Sequence, residues 1–210
     1  LLQSDAYNAY VQFAAQNEGV TLIRCMAHAR RKFYDAQEQH PRESALVLKL
    51  IARLYQVEKY IRETPLPLEQ ISQYRQKHAL NTHRRLKRVL DILRHRTLPQ
   101  SQLGKACNYA LNHWTSLSEY LNHDQAMIDN NAMENAIRPT AIGKKNWMFV
   151  GHPQAGERAA ILYSILISCQ RLDIHPVEYL KDVLSIDTRI LEDDQLASLT
   201  PARWKKASST

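Results

Sequence analysis

The chain has 210 residues, 44% hydrophobic and 23% charged, enough to bury a core with or without an inserted subdomain, which excludes a disordered polypeptide. Its 28 Lys and Arg against 21 Asp and Glu leave a formal charge of +7, favouring polyanionic partners such as nucleic acid. The longest apolar run, 159–169, is too short and interrupted to span a bilayer, so no membrane segment is expected; three dispersed cysteines, Cys25, Cys107 and Cys169, argue against a disulfide framework or zinc ribbon and fit buried thiols of a cytoplasmic protein.

In chain order, the opening Leu1 to Asp5 reads as the end of a buried strand, with no initiator Met or leader pattern before it, so an upstream part is expected to be missing. The β-branched run 20–25 after Gly19 reads as a second strand. Between them, 6–17 has helix length, with Tyr7, Tyr10, Val11 and Ala14 on one face, and strand, helix and strand of this length make a parallel crossover unit. A further helix is predicted over 27–37. From Pro41 to His123 the pattern is helical alone. One helix carries Val47, Leu50, Ile51, Leu54 and Ile61, a second Leu86, Val89, Leu90 and Leu93, and a third Leu103, Cys107, Ala110, Leu111, Trp114 and Leu121, with proline-bearing breaks at 64–67 and 97–99. Asp124 is expected to cap a helix that runs through Glu134 to Arg138 and stops at Pro139, before a loop 141–150 with a short extended piece at 146–150. The nearly all-round apolar segment 156–172 predicts a buried helix, and Pro176 opens a shorter one to Leu184. The fold class is therefore α/β, mostly α by residue count. Its parts are a strand-helix-strand-helix core over 1–40, a helical insertion over 41–123, a C-terminal helix with packing helices over 124–185 and a peripheral tail over 186–210.

Asp5 is the first candidate for chemistry, because a carboxylate ending a buried strand is costly unless it reaches a cleft or a cation. A plain helix cap for the segment after it is the alternative, and one residue can do both. The second candidate is the stretch from Asp129 through Asn130, Asn131 and Glu134 to Arg138. At helical period it sets an amide, a carboxylate and a guanidinium on adjacent turns, and the basic, aromatic Gly143-Lys144-Lys145-Asn146-Trp147 follows. Carboxylates hold divalent metal and Lys or Arg hold phosphates, so the combination suits a phosphodiester site, against the plainer reading of a solvated face. Between Arg75 and Arg96, eight Lys and Arg face one acid, Asp91. With the stripe from Leu86 to Leu93 turned inward, Arg84, Arg85, Lys87 and Arg88 would form a phosphate-binding surface. Arg30, Arg31 and Lys32 make a second basic cluster beside His28. Cys25 and His28 have no second ligand pair and read as a packed thiol beside a hydrogen-bonded imidazole. Trp147 and Phe149, at alternating positions, read as core rather than as base-stacking groups.

Five ordered segments together resemble the insertion sequence 66 family of transposases. They are Gln3-Ser4-Asp5-Ala6-Tyr7; Cys25-Met26-Ala27-His28-Ala29-Arg30-Arg31-Lys32-Phe33; Asp129-Asn130-Asn131 with Glu134 and Ile137-Arg138-Pro139; Gly143-Lys144-Lys145-Asn146-Trp147-Met148-Phe149; and Gly156-Glu157-Arg158-Ala159-Ala160. Pro176-Val177-Glu178-Tyr179-Leu180 fits the family's tail. Two positions depart from its pattern: Asn135 stands where Arg is usual after the Glu, and Met26 where Trp is usual before Ala-His. The resemblance implies a ribonuclease-H-like catalytic domain with an Asp-Asp-Glu triad, in which Asp5 is the second Asp and Glu134 the Glu. The first Asp would precede Leu1. It also implies a pair of Mg2+ or Mn2+ ions held by the triad, with His28, Asp129, Asn130 and Asn131 supporting the site. Arg30, Arg31, Lys32, Arg84, Arg85, Lys87, Arg88, Arg138, Lys144 and Lys145 would contact DNA. Cleavage and strand transfer at transposon ends, a homo-oligomer on DNA, accessory proteins of the element and a nucleoid-associated location in a bacterial cytoplasm are what the family implies. With two of three acids, this stretch by itself is expected to be nearly inactive. The competing readings are a non-catalytic helical DNA-binding protein and another ribonuclease-H-like nuclease, such as a junction resolvase.

Overall fold

The computed structural model describes residues 1–5, 8–147 and 151–204, the side chains of 144–147 and of Thr188 excepted. It divides into two compact units, Leu1–Met133 and Glu134–Thr210.

In the first unit, β1 (Leu2–Ser4) and β2 (Leu22–Arg24) pair in parallel, with Leu2 opposite Leu22 and Ser4 opposite Arg24, and α1 (Asn8–Gln16) forms the crossover. The turn into β2 passes through Gly19 at φ +84°, a conformation that favours a residue without a Cβ. The expected crossover is present, although Tyr10 of α1 is exposed and only Val11 and Ala14 of its predicted face are half-buried; Tyr7 lies outside the described residues. These two strands are the whole sheet among the described residues. The third extended piece expected at 146–150 is not found among the described residues of that range. Asn146 and Trp147 belong to a helix, and 148–150 lie outside the described residues.

After α2 (Met26–Asp35) come α3 (Pro41–Glu63), α4 (Ile71–His78), α5 (Leu80–Arg96), α6 (Gln102–Asn112) and α7 (Trp114–Ser118). Pro41 opens α3, where its missing N–H costs nothing, with Glu43 in the first turn and Arg62 in the last, as the helix dipole favours. Val47, Leu50, Ile51 and Leu54 of α3, Leu86 and Leu90 of α5, and Leu103 and Cys107 of α6 share one core with Ile23, Met26 and Phe33 of the strand-helix part. Each such aliphatic side chain contributes roughly 1.5–3 kcal/mol on burial. The predicted third helix is broken at His113, where Ser116 and Ser118 turn their hydroxyls onto the carbonyls of His113 and Trp114. Ser101 caps α6 by accepting the Gly104 N–H at 3.0 Å.

Arg75, counted above in the basic run, is buried and so is no part of a surface. It forms a two-pronged pair with Glu58, 2.8 Å on each side. Its remaining N–H groups donate to the carbonyls of Tyr120 (3.0 Å), His123 (2.8 Å) and Ala126 (2.8 Å), so all five of its donors are used. Asp124 does cap a helix, but α4: it accepts the Ser72 N–H at 2.7 Å.

In the second unit, α8 (Asn131–Trp147), which starts in the first, runs through Pro139 instead of stopping there. The proline leaves the Asn135 carbonyl without its helical donor, and both residues are exposed, so water can reach that carbonyl. The helix α9 (Pro153–Arg171) meets α10 (Pro176–Leu184) near Cys169, and the expectation that it is buried fails: Ile161 is 61% exposed and Leu162 52%. A helix as short as α10 cannot cover an all-round apolar helix of 19 residues. Within the segment expected as a peripheral tail, the described residues reach α10. After α11 (Asp193–Ser198), the Trp204 ring stands edge-on to Tyr179 of α10 at 5.6 Å and its Nε1 donates to Asp182 at 2.7 Å, while the Tyr179 hydroxyl donates to the Leu199 carbonyl at 2.7 Å. No helix among the described residues is long and apolar enough to cross a membrane.

Candidate active site

Because Ser4 and Arg24 are register partners, the residues that follow them, Asp5 and Cys25, leave the sheet at the same edge. The carboxyl edge of a parallel pair is where side chains from successive strands converge on a ligand. Asp5 is half-buried there, and two groups fix its main chain: the buried Arg24 donates from Nη1 to the Asp5 carbonyl at 3.0 Å, and the Ser4 hydroxyl donates to the same oxygen at 3.0 Å. An arginine in a buried strand is tolerable because its head lies at this edge, among polar groups.

The third side of the site is a strap, residues 120–130, that runs from the helical insertion to the strand ends. Gln3, on β1, holds it as a neighbouring strand would. Its Nε2 donates to the carbonyls of Met127 (2.6 Å) and Asp129 (3.0 Å), and its Oε1 accepts the Met127 N–H at 3.3 Å. From β2's side, the Met26 N–H donates to the Ile128 carbonyl at 2.9 Å and Cys25 Sγ accepts the Asn130 N–H at 3.5 Å. The strap thus carries Asp129 and Asn130 to the edge at which Asp5 stands.

The two strap residues differ in what they have left to offer. Asp129 Oδ1 accepts the Asn131 N–H at 3.2 Å and Oδ2 accepts the Asn131 side-chain amide at 3.0 Å, so this carboxylate caps the start of α8. Burial first, and then the charge and hydrogen-bonding of Asp129, push the Tyr55 phenol of α3 far above the usual tyrosine range. Asn130 Oδ1, by contrast, is buried without a hydrogen-bond partner among the described residues, so its acceptor capacity is unspent at this edge. Burial is the main cause that raises the Cys25 thiol, with the Asp129 charge acting in the same direction, and the thiol is therefore protonated at neutral pH.

The first unit brings Asp5, His28, Asp129 and Asn130 to this edge, with Asn131 exposed at the start of α8. His28 is half-buried in the first turn of α2. Glu134 and Arg138 are exposed on successive turns of α8, in the second unit. Lys144 and Lys145 lie on the same helix, and their side chains are outside the described residues. Arg30, Arg31 and Lys32 are exposed on α2, with Lys32 Nζ 4.6 Å from the centre of the Tyr109 ring. Arg84, Arg85, Lys87 and Arg88 are exposed on α5, whose Leu86 and Leu90 turn inward as the stripe requires. Gln3, Arg24 and Tyr55 escaped the reading of the sequence as contributors to the site. A buried Arg and a Gln inside strand-like runs were the available signals.

A parallel strand pair with an acid at its carboxyl edge, a large helical insertion and a returning strap that opens α8 make up the frame of the candidate site. The sequence comparisons supply the family: the model for "Transposase IS66 family" matches residues 1–158, and the chain belongs to that family. It is similar to the uncharacterized protein y4jD of Sinorhizobium fredii (strain NBRC 101917 / NGR234), 35% identical over 212 residues, which are 98% of this chain and 41% of y4jD. It is also similar to the uncharacterized protein y4hP of the same strain, 30% identical over 227 residues, 100% of this chain and 40% of y4hP. The chain therefore spans about two fifths of the length of these curated relatives. No solved structure matches it.

Proposed function

We propose that this chain is part of the catalytic domain of a transposase that cuts and joins DNA at transposon ends, with Asp5 and Glu134 as metal-holding carboxylates. The observation that carries the reading is the convergence, in a chain of this family, of Asp5 and the strap bearing Asp129 and Asn130 on one carboxyl edge of parallel strands. The carboxylate and amide oxygens of Asp5, Asp129 and Asn130 suit a hard divalent cation, and Asn130 Oδ1 is buried without a partner among the described residues. Mg2+ or Mn2+ ions bound there would supply activation of a water or 3′-hydroxyl and stabilisation of the leaving oxygen. Asp5 and Glu134 hold the cations. Asp129 keeps the start of α8 in place, and His28 lines the edge. The exposed cations of α2 and α5, with Arg138, Lys144 and Lys145, bind DNA phosphates. A ribonuclease-H-like frame, a homo-oligomer on DNA and accessory proteins belong to the same proposal.

The exposed basic face of α5 supports a second reading, DNA binding without catalysis. Nicking of labelled transposon-end DNA in Mg2+ separates the two, using the full-length protein that contains this chain. The proposal expects Asp5→Asn and Glu134→Gln each to reduce nicking at least a hundredfold while DNA affinity stays within a few-fold. DNA binding by a wild-type protein that does not nick leaves the binding reading, and nicking that survives both substitutions takes Asp5 and Glu134 out of the catalytic role.

A further inference from the structure

Arg75 and Glu58 lie inside the helical insertion, buried to 2% and 4% exposure, yet their bonds reach out of it. A buried ion pair alone is poor evidence of a device, because desolvation offsets most of its attraction. This one differs in what the guanidinium does with its other three donors. They hold the carbonyls of Tyr120, His123 and Ala126, at spacings of three residues along a stretch whose only regular structure is a short 3-10 turn, Glu119–Asn122. The Arg75 head also lies 5.4 Å from the Tyr120 ring. Asp124, between the held carbonyls, is tied to the α4 backbone at Ser72. Directly after Ala126 begins the part of the strap gripped by Gln3, Met26 and Cys25. A lysine could not replace Arg75, since only a planar fork with five donors serves a carboxylate and three carbonyls at once.

We propose that Arg75, oriented by Glu58, is a positioning residue for the candidate site: it fixes the register of the strap so that Asp129 and Asn130 meet the ends of β1 and β2. The helical insertion is then the anchor of the site as well as a spacer between its acids. The effect on strap order stands on geometry alone; the effect on cleavage rests on the function proposed above.

Hydrogen exchange and DNA nicking on the same full-length variants test it. In Arg75→Lys the Met26 and Met127 amides, which bond to Ile128 and Gln3, are expected to exchange at least tenfold faster than in wild type. The core amides of α3 and α5 should keep their protection. Nicking should lose at least tenfold in kcat at unchanged DNA affinity. Glu58→Gln, of the same shape, should show the same pattern more weakly, and it serves where Arg75→Lys does not fold. Unchanged strap amides overturn the proposal. So does loosening of α3 and α5 by the same factor, which marks a merely structural pair, or a loosened strap with undiminished nicking. If the wild-type protein does not nick DNA, the functional reading fails, and the exchange pattern alone decides the positioning claim.

Discussion

His83 makes the stability of the first unit depend on pH in a window where few groups titrate. It sits on α5 at 3% exposure, with its ring 4.3 Å from that of Trp114 and 6.4 Å from that of Tyr120, and its Nε2 has no hydrogen-bond partner among the described residues. Burial first, and the Lys87 charge one turn along second, lower its pKa from 6.5 to about 4. The folded chain therefore holds a neutral imidazole down to about pH 4, while the unfolded chain takes up a proton below 6.5. Between these values the unfolded state binds more protons, so stability falls as the pH falls, and above 6.5 the group contributes no slope. At 1.36 kcal/mol per unit, the loss is about 2 kcal/mol at pH 5 and about 3 kcal/mol at pH 4. Urea unfolding of wild type and His83→Phe at half-unit steps from pH 7 to 4.5 measures it. The phenyl ring keeps the aromatic packing and cannot be protonated, so the two stability curves should diverge as the pH drops below 6.5. Curves that run parallel down to pH 5 would refute the assignment of a neutral, buried imidazole.

Three further outcomes follow from geometry. A Cβ on Gly104 would stand 2.2 Å from the Leu98 carbonyl oxygen and close to backbone atoms of Leu98 and Pro99, so Gly104→Ala should cost about 3 kcal/mol, read by chemical denaturation; a cost under about 0.5 kcal/mol would show that the 98–104 turn gives way. Gln3→Ala removes three bonds to the strap and should lower stability by about 2 kcal/mol, whereas no change would mean that the strap is held without it. Replacing Arg84 and Arg88 together by Gln should weaken DNA binding and make the plot of log affinity against log salt shallower by about 2, one phosphate contact each; an unchanged slope would take α5 out of the DNA interface.

Elements with a strong local signature were legible in the sequence. The β-branched run after Gly19 became β2, Pro41 opened α3, and Pro176–Leu184 formed as read, because turn residues and apolar period act within a few positions. Pro139 misled because the carbonyl it orphans belongs to the exposed Asn135, so the lost bond leaves no buried polar group unsatisfied. The apolar period of α9 implied burial, but period does not state what covers a face. In the candidate site, Asp5 and the Asp129–Asn130 pair stood out as polar groups in ordered motifs. Gln3 and Arg75 did not, since their partners lie 124–126 and 45–51 positions away and no local pattern encodes a bond of that span. Arg75 looked like one more cation of a basic run until its burial separated it from Arg84 and Arg88.

On the function proposed above, Asp5 and Glu134 hold the same divalent cations. Anomalous scattering from Mn2+ in crystals of the full-length protein with transposon-end DNA measures this directly. Manganese within about 2.3 Å of carboxylate oxygens of both residues, and lost in Asp5→Asn, is the predicted result. Manganese bound with neither carboxylate in its shell, in crystals where the DNA end is in place, would contradict it.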